Sequence, residues 1–318
     1  FGNLFADGTD GVQKFHSDPI PRIGGIGIFL SFCFCFIMFG NVEKNYAILI
    51  AVSALPTILI GIFEDIRRNI YPSYRLYATF LSGIFFVLLS GYSINRLDIP
   101  YLENVLSIQI FSIIFSGFAI SGVSNSINII DGFNGLASGA LIIMLGAFAI
   151  IGISLEDEII FKLSITFIFI LLGFLILNFP FGYIFLGDTG AYFGGFFLSV
   201  IAIMLPARNP EITPWLSLLI CLYPILETII SINRKLRRKG HNPIKPDRLH
   251  LHMLVYRDLS RKISKKLRLL NYRNSITGFL MWLFPLLSFF SSILFYNNNI
   301  MIIIFITLIS ILYIVIYR

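Results

Sequence analysis

Three polar side chains, Asn125, Asn128 and Asp131, recur at every third position between apolar segments of the chain. At helical spacing they share one side of a turn. Amide and carboxylate oxygens are the donors that a hard cation such as Mg²⁺ takes. The other reading is a hydrogen-bond network, because Asn side chains bridge membrane helices. A further carboxylate, Asp188 in Phe185-Leu-Gly187-Asp188-Thr189-Gly190, opens an apolar segment. It can cap a helix end or join the Asn/Asp cluster around a cation. Glu64-Asp65, with Arg67 and Arg68, leaves another apolar segment and reads as a salt-bridged loop or as part of a charged site. Lys245-Pro-Asp247-Arg248-Leu-His250-Leu-His252 sets basic groups on alternate positions, a pattern suited to phosphate or sugar oxygens. A zinc site is a poor reading of it, with no cysteine nearby and His241 remote. The stretch from Lys14 to Gly25 carries prolines and glycines that suit a rigid turn and close helix packing. It serves as a loop with snorkelling cations or as a ligand-binding segment.

These clusters need a scaffold, and the composition says which kind. Of 318 residues, 57% are hydrophobic and 13% charged, with a mean hydropathy of +0.85. That balance describes an all-α, polytopic integral membrane protein, a single membrane-embedded domain over residues 1–318. About ten apolar stretches are long enough to span, near 23–40, 46–63, 75–92, 105–123, 134–153, 159–178, 184–205, 213–232, 276–296 and 299–317. Alternating the loops puts Lys44, Arg96, Lys162 and Arg208 on one side and the other 20 lysines and arginines on the opposite side. The rich side is cytoplasmic by the positive-inside rule, and all five polar clusters fall at that edge. Cys33, Cys35 and Cys221 lie within apolar stretches and read as packing residues. Residues 233–275 form the long cytoplasmic loop, with Leu254, Leu259, Ile263, Leu267 and Leu270 on one stripe between cations. That pattern suggests an amphipathic helix along the headgroups. The chain begins at Phe1 and shows no signal peptide.

Oxygen ligands for Mg²⁺ together with Lys, Arg and His for phosphates, all at one membrane surface, equip a protein to move a phosphorylated group from a soluble donor to a lipid. The motifs Asn125-x-x-Asn128-x-x-Asp131-Gly132-x-x-Gly135-Leu-Ala and Phe185-x-Gly187-Asp188-x-Gly190, followed by Asp247-Arg248-x-His250-x-His252, occur in that order. With Pro19-x-Pro21-Arg22-x-Gly24-Gly25 ahead of them, the chain resembles, over nearly its whole length, the polyprenyl-phosphate N-acetylhexosamine-1-phosphate transferases. The Asp-Arg-x-His-x-His form is similar to the branch that uses UDP-GlcNAc or related sugars. Two departures stand out: Glu64-Asp65 where the family usually has Asp-Asp, and Met253 where many members carry a further His.

The resemblance implies transfer of an N-acetylaminosugar-1-phosphate, GlcNAc-1-phosphate first among them, from a UDP-sugar to undecaprenyl phosphate, with release of UMP. It implies Mg²⁺, with Mn²⁺ as a substitute, on Asn128 and Asp188. Phe185 would stack on uracil, with Asp131 and Asn134 near the nucleotide. Arg248, His250 and His252 would meet the sugar or diphosphate, and Arg75 a phosphate. Lys14, Glu64 and Asn125 complete the substrate-binding candidates, Asn125 also serving as a brace. The catalytic candidates are Asp188, Asn128 and Asp65, the last as a base, as an orienting group, or as the carboxylate of a covalent intermediate. A phosphate monoester, with a second pKa of about 6, is already largely ionised at neutral pH, which weakens the case for a base. The expected partners are the UDP-sugar, undecaprenyl phosphate and the lipid bilayer of a bacterial cytoplasmic membrane, with no nucleic acid and with a homodimer left open. The family also implies one more helix ahead of Lys14. The rival donors are UDP-N-acetylfucosamine and UDP-N-acetylquinovosamine. A transporter or flippase is the rival class, and it would place polar groups near the midplane in repeated halves. Glu227 is the one carboxylate positioned inside a helix, where it reads as a buried hydrogen-bonding group.

Overall fold

A computed structural model of the chain describes residues 6–7, 20–37, 41–237 and 249–318. Apart from an antiparallel pairing of Ala6–Asp7 with Ile20–Pro21, the regular structure of these residues is helical. In chain order the helices are α1 (Gly24–Ile37), α2 (Asn41–Ser53), α3 (Leu55–Arg67), α4 (Pro72–Ser90), the short α5 (Leu102–Leu106) and α6 (Gln109–Ile130). There follow α7 (Leu136–Ser154), α8 (Glu158–Asn178), α9 (Gly187–Arg208), α10 (Pro214–Ile220), α11 (Leu222–Arg237) and α12 (Leu251–Val255). The chain closes with α13 (Arg261–Lys266), α14 (Arg273–Met281), α15 (Leu283–Phe295) and α16 (Asn299–Tyr317).

Among the described residues, seven segments are long and apolar enough to cross a bilayer, and the bent pairs α2–α3 and α10–α11 bring the number to nine. The shorter apolar α1 occupies the remaining expected stretch, so each apolar stretch read from the sequence is helical over its described residues. The bends, of 50° and 78°, follow prolines. Pro56 and Pro224 lack the N–H that would reach back one turn, and the ladder breaks just ahead of each, at Ala54 and Cys221. All three cysteines are free, with Cys221 buried.

Helix α9 runs through the centre. Residues making up 83% of its apolar window are buried, against 17% for α16. It packs on α6, α3, α1 and α7. Two of these contacts are backbone against backbone. A methyl group on Gly25 would stand 2.1 Å from the backbone nitrogen of Gly190, and one on Gly61 would stand 2.5 Å from the Cα of Thr189. No side-chain rotation relieves such an overlap. Gly25→Ala is therefore expected to cost about 2–3 kcal/mol of stability, seen as a lower thermal midpoint of the purified protein. Gly27→Ala, which would meet nothing within 4 Å, is the control and should stay within about 0.5 kcal/mol.

Small hydroxyls fasten the surrounding helices. Thr57 donates to Ser82 at 2.8 Å, Thr79 pairs with Ser121 at 2.7 Å, and Thr228 donates to Ser126 at 2.9 Å. These bonds link α3 to α4, α4 to α6 and α6 to α11 in a medium where polar groups must find partners internally.

The twenty residues from Asp188 to Arg208 put the two side chains about 30 Å apart along α9 at 1.5 Å per residue. At the far end, Asp157 accepts from Arg208 Nε at 2.7 Å and Nη2 at 3.0 Å, and from Asn209 at 3.1 Å. Arg208 Nη1 also reaches the hydroxyls of Tyr46 and Tyr92, at 3.2 and 2.9 Å. Burial alone would raise the Asp157 carboxyl, but Arg208, the Ile160 amide and Asn209 outweigh it and hold the group below the ordinary carboxylate range. Arg96, bonded to the carbonyl of Ile212, and Lys162, paired with Glu43 at 2.7 Å, belong to the same end. The cation-poor side read from the loops is thus one end of the bundle.

The amphipathic run after residue 249 is not one helix. A π-helical turn, Tyr256–Ser260, separates α12 from α13, and its extra residue resets the helical phase. The turn lets Tyr256 stack on Phe133 at 5.0 Å. Leu259, Leu267 and Leu270 of the expected stripe remain exposed, while Leu254 and Ile263 are half-buried.

Candidate active site

The other end of α9 is held by Asp65. One carboxylate oxygen accepts the backbone N–H of Asp188 at 2.8 Å. The other accepts the backbone N–H of Thr189 at 3.0 Å and its hydroxyl at 2.7 Å. Asp65 is fully buried. A carboxylate carried by α3 therefore satisfies the orphan donors at the start of α9, where the helix dipole favours negative charge. Gly187 makes the approach possible. Its φ is +73°, and a methyl group there would stand 2.8 Å from the Asp65 oxygens. Asp188 begins the helix next to this cap, so its position depends on Asp65.

Around Asp188 the structure gathers groups from α6, α4 and α3. Asn128, at the end of α6, places its amide nitrogen 2.5 Å from Asp188 Oδ1. Arg75, near the start of α4, sets Nη1 3.8 Å from Asp188 Oδ2 and 3.5 Å from Glu64 Oε1. The second oxygen of Glu64 accepts the backbone N–H of Ile70 at 2.9 Å. Asp131 follows the last residue of α6 and is partly withdrawn from water. Burial and the negative charge of Asp188 push its carboxyl up to about 7, with Asp65 adding to the rise and Arg22 opposing it. Arg22 was no more than part of a loop motif in the sequence. Here its charge acts on both Asp131 and Glu64.

The histidine motif packs on the turn after Asp131. His250 and His252 stack with ring centroids 5.3 Å apart, and His252 meets the Phe133 ring edge-on at 5.7 Å. Both imidazoles face Glu227 of α11, whose oxygens lie 3.0 Å from His252 Nδ1 and 3.4 Å from His250 Nδ1. The backbone amides of Leu251 and His252 donate to the same carboxylate at 3.3 Å each. Just upstream, the carbonyl of Leu249 accepts from Arg234 at 2.6 Å and from the Tyr317 hydroxyl at 2.8 Å.

Other candidates from the sequence lie in supporting roles. The amide of Asn125 donates to the Thr79 hydroxyl at 3.0 Å and to the carbonyl of Ser121 at 2.8 Å, bracing α6 against α4. Asn134 is woven into the adjoining loops, its backbone N–H to Asn274 at 2.7 Å and its amide to Pro180 at 3.3 Å. Phe185 is half-buried, with its backbone bonded to Pro21 and Gly24 at 2.9 and 3.0 Å. Lys14 and Arg248 lie outside the described residues.

Carboxylate and amide oxygens suit a hard cation, and Asp188, Asp131 and Asp65 crowd negative charge into one place. Among the described residues no three acidic, histidine or cysteine side chains converge as a ready-made chelate. Mg²⁺ needs none, because it commonly keeps waters and binds one or two carboxylates plus substrate phosphates. Asp188 and Asn128 fit that pattern, since the Asn128 amide turned over presents its oxygen at the same spot.

A central helix capped by a buried carboxylate thus ends among charged groups collected at one end of a multi-pass bundle. The chain matches glycosyl transferase family 4 over residues 46–206 and belongs to that family. It is 29% identical over 256 residues to a probable undecaprenyl-phosphate N-acetylglucosaminyl 1-phosphate transferase of Bacillus subtilis (strain 168), covering 79% of this chain and 70% of that one. It is 28% identical over 255 residues to an undecaprenyl-phosphate alpha-N-acetylglucosaminyl 1-phosphate transferase of Yersinia pestis, with 77% and 68% covered. A phospho-N-acetylmuramoyl-pentapeptide-transferase of Streptococcus thermophilus (strain CNRZ 1066) is 31% identical over 244 residues, with 69% of each chain covered. The chain is thus an enzyme, a phosphosugar transferase, and the transporter reading falls away.

Proposed function

We propose that this enzyme transfers GlcNAc-1-phosphate from UDP-GlcNAc to undecaprenyl phosphate at the cytoplasmic face of a bacterial inner membrane. The observation that carries the reading is the convergence of Asp188, Asn128, Arg75 and Glu64 at one end of α9, in a chain similar to enzymes named for that transfer. An oxygen of the lipid phosphate attacks the sugar-bearing phosphorus of the donor, the bond to the UMP oxygen breaks, and UMP departs. Two anions must meet for this to happen. Arg75 and Arg22 supply fixed positive charge where the phosphates gather, and His250, His252 and Arg248 serve the sugar diphosphate. Asp131 and Phe185 serve the nucleotide. Asp188 and Asn128 would hold Mg²⁺, which when bound neutralises the diphosphate and stabilises the leaving group.

The test is transfer of label from radioactive UDP-sugars to undecaprenyl phosphate by purified enzyme, with UMP measured in parallel. Label from UDP-GlcNAc is expected in lipid, one UMP per lipid product, lost on chelation and restored by Mg²⁺ or Mn²⁺. Label only from UDP-N-acetylfucosamine or UDP-N-acetylquinovosamine would replace the donor. Transfer that survives chelation would remove the metal from the account, and absence of UMP with every donor would remove the reaction.

A further inference from the structure

Glu227 is a buried carboxylate, 1% exposed, within α11. A charge in such a place needs compensation, and besides Tyr313 of α16 it comes from one segment. Two backbone amides and the Nδ1 atoms of His250 and His252 all converge on it from the motif of residues 250–252. The opposite edge of His252 is different. Its Nε2 is buried and has no hydrogen-bond partner among the described residues, and it points at Gly132, where an added methyl group would stand 3.6 Å away. Gly132 lies between Asp131, whose carboxyl feels Asp188, and Phe133, which packs on the His252 ring.

A carboxylate at Nδ1 sets which ring nitrogen carries the proton and fixes the plane of the ring. From these contacts we infer that Glu227 is a positioning residue for the transfer. It holds His252 in the tautomer whose Nδ1–H meets the carboxylate, with His250 stacked on it, so that the lone pair of Nε2 is presented to a hydroxyl or N–H of the donor's sugar beside the Asp131–Gly132 turn. The inference rests on the reaction stated above. It adds a residue from α11 that touches no substrate and acts through His252.

Glu227→Gln keeps the length of the side chain and removes its charge. It is expected to lower kcat about 10–100-fold, the range seen when an imidazole loses its orienting partner, with KM for undecaprenyl phosphate changed less than twofold. The deciding measurement is a double-mutant cycle with His252→Ala. Once His252 is gone, Glu227→Gln should cost less than a further threefold. Losses that multiply in full, or a Glu227→Gln enzyme with kcat within threefold of the parent, overturn the inference. If Glu227→Gln does not accumulate in membranes, Glu227→Asp replaces it in the cycle. The shorter acid should lose threefold to tenfold, again only when His252 is present, and a loss that persists without His252 overturns the inference. Failure of the unsubstituted enzyme to transfer from any UDP-sugar overturns the reaction and this role together. Multiplying losses in an active enzyme overturn this role alone.

Discussion

Asp65→Asn is expected to lower the transfer rate about 100-fold, by the same factor from about pH 6 to about pH 9. The reason is the use already made of the carboxylate. Its two oxygens accept three hydrogen bonds from Asp188 and Thr189, and the side chain is fully buried. An amide of the same shape offers one acceptor and turns an NH₂ towards a backbone N–H. One donor at the start of α9 then loses its partner inside the protein, which costs about 1–3 kcal/mol, and the first turn shifts to avoid the clash. Asp188 sits in that turn. A displacement of about 1 Å in a reacting assembly is enough for a 100-fold loss. A base that deprotonates the lipid phosphate leaves another signature. The second ionisation of a phosphate monoester lies near about pH 6, so above it the nucleophile needs no base and the defect should heal as pH rises. The rate measured against pH separates the two. A constant deficit identifies Asp65 as the residue that places Asp188, and recovery at high pH restores the base.

Asp188→Asn should be more damaging, about 1,000-fold or more in kcat. The substitution keeps size and hydrogen bonding to Asn128 but removes the one charge that faces both Asn128 and Arg75. A divalent cation held through a single carboxylate loses most of its attraction when that carboxylate becomes an amide. Loss of about 4 kcal/mol of transition-state stabilisation corresponds to about three decades in rate. Arg75, deprived of a partner on one side, then pulls towards Glu64. The check is UMP release titrated with Mg²⁺. The residual activity should need at least about tenfold more metal than the parent. An Asp188→Asn enzyme that keeps more than about a tenth of its rate with an unchanged Mg²⁺ dependence would deny the carboxylate its place in metal binding.

The helices were legible because each needs about 20 apolar residues, and such stretches are hard to miss. Proximity of Asp65, Asn128 and Asp188 was legible only through the sidedness of the loops and the order of the motifs. What Asp65 does was hidden. Its partners are backbone amides more than 120 residues away, and a backbone N–H leaves no mark in a string of residue types. Glu227 was hidden in a similar way. A lone acid in an apolar segment asks for a partner, but its partners come from a motif 24 and 25 residues further on, beyond any helical periodicity. Asn125 shows the converse. Its spacing from Asn128 made it look like one of a set, yet it lies nearly a full turn back along α6, level with Thr79 of the neighbouring helix. The π-turn after α12 defeated the leucine stripe because one inserted residue is invisible to a pattern read at a constant 3.6 per turn.

Helix α16 is the least enclosed of the spanning segments and α9 the most. Near its end, Tyr317 grips the carbonyl of Leu249, one residue before His250, and Arg234 reaches both. The least enclosed helix is thereby tied, through the hydrogen bonds of Tyr317 and Arg234, to the backbone that carries the histidine pair, while the helix bearing Asp188 is shielded by its neighbours.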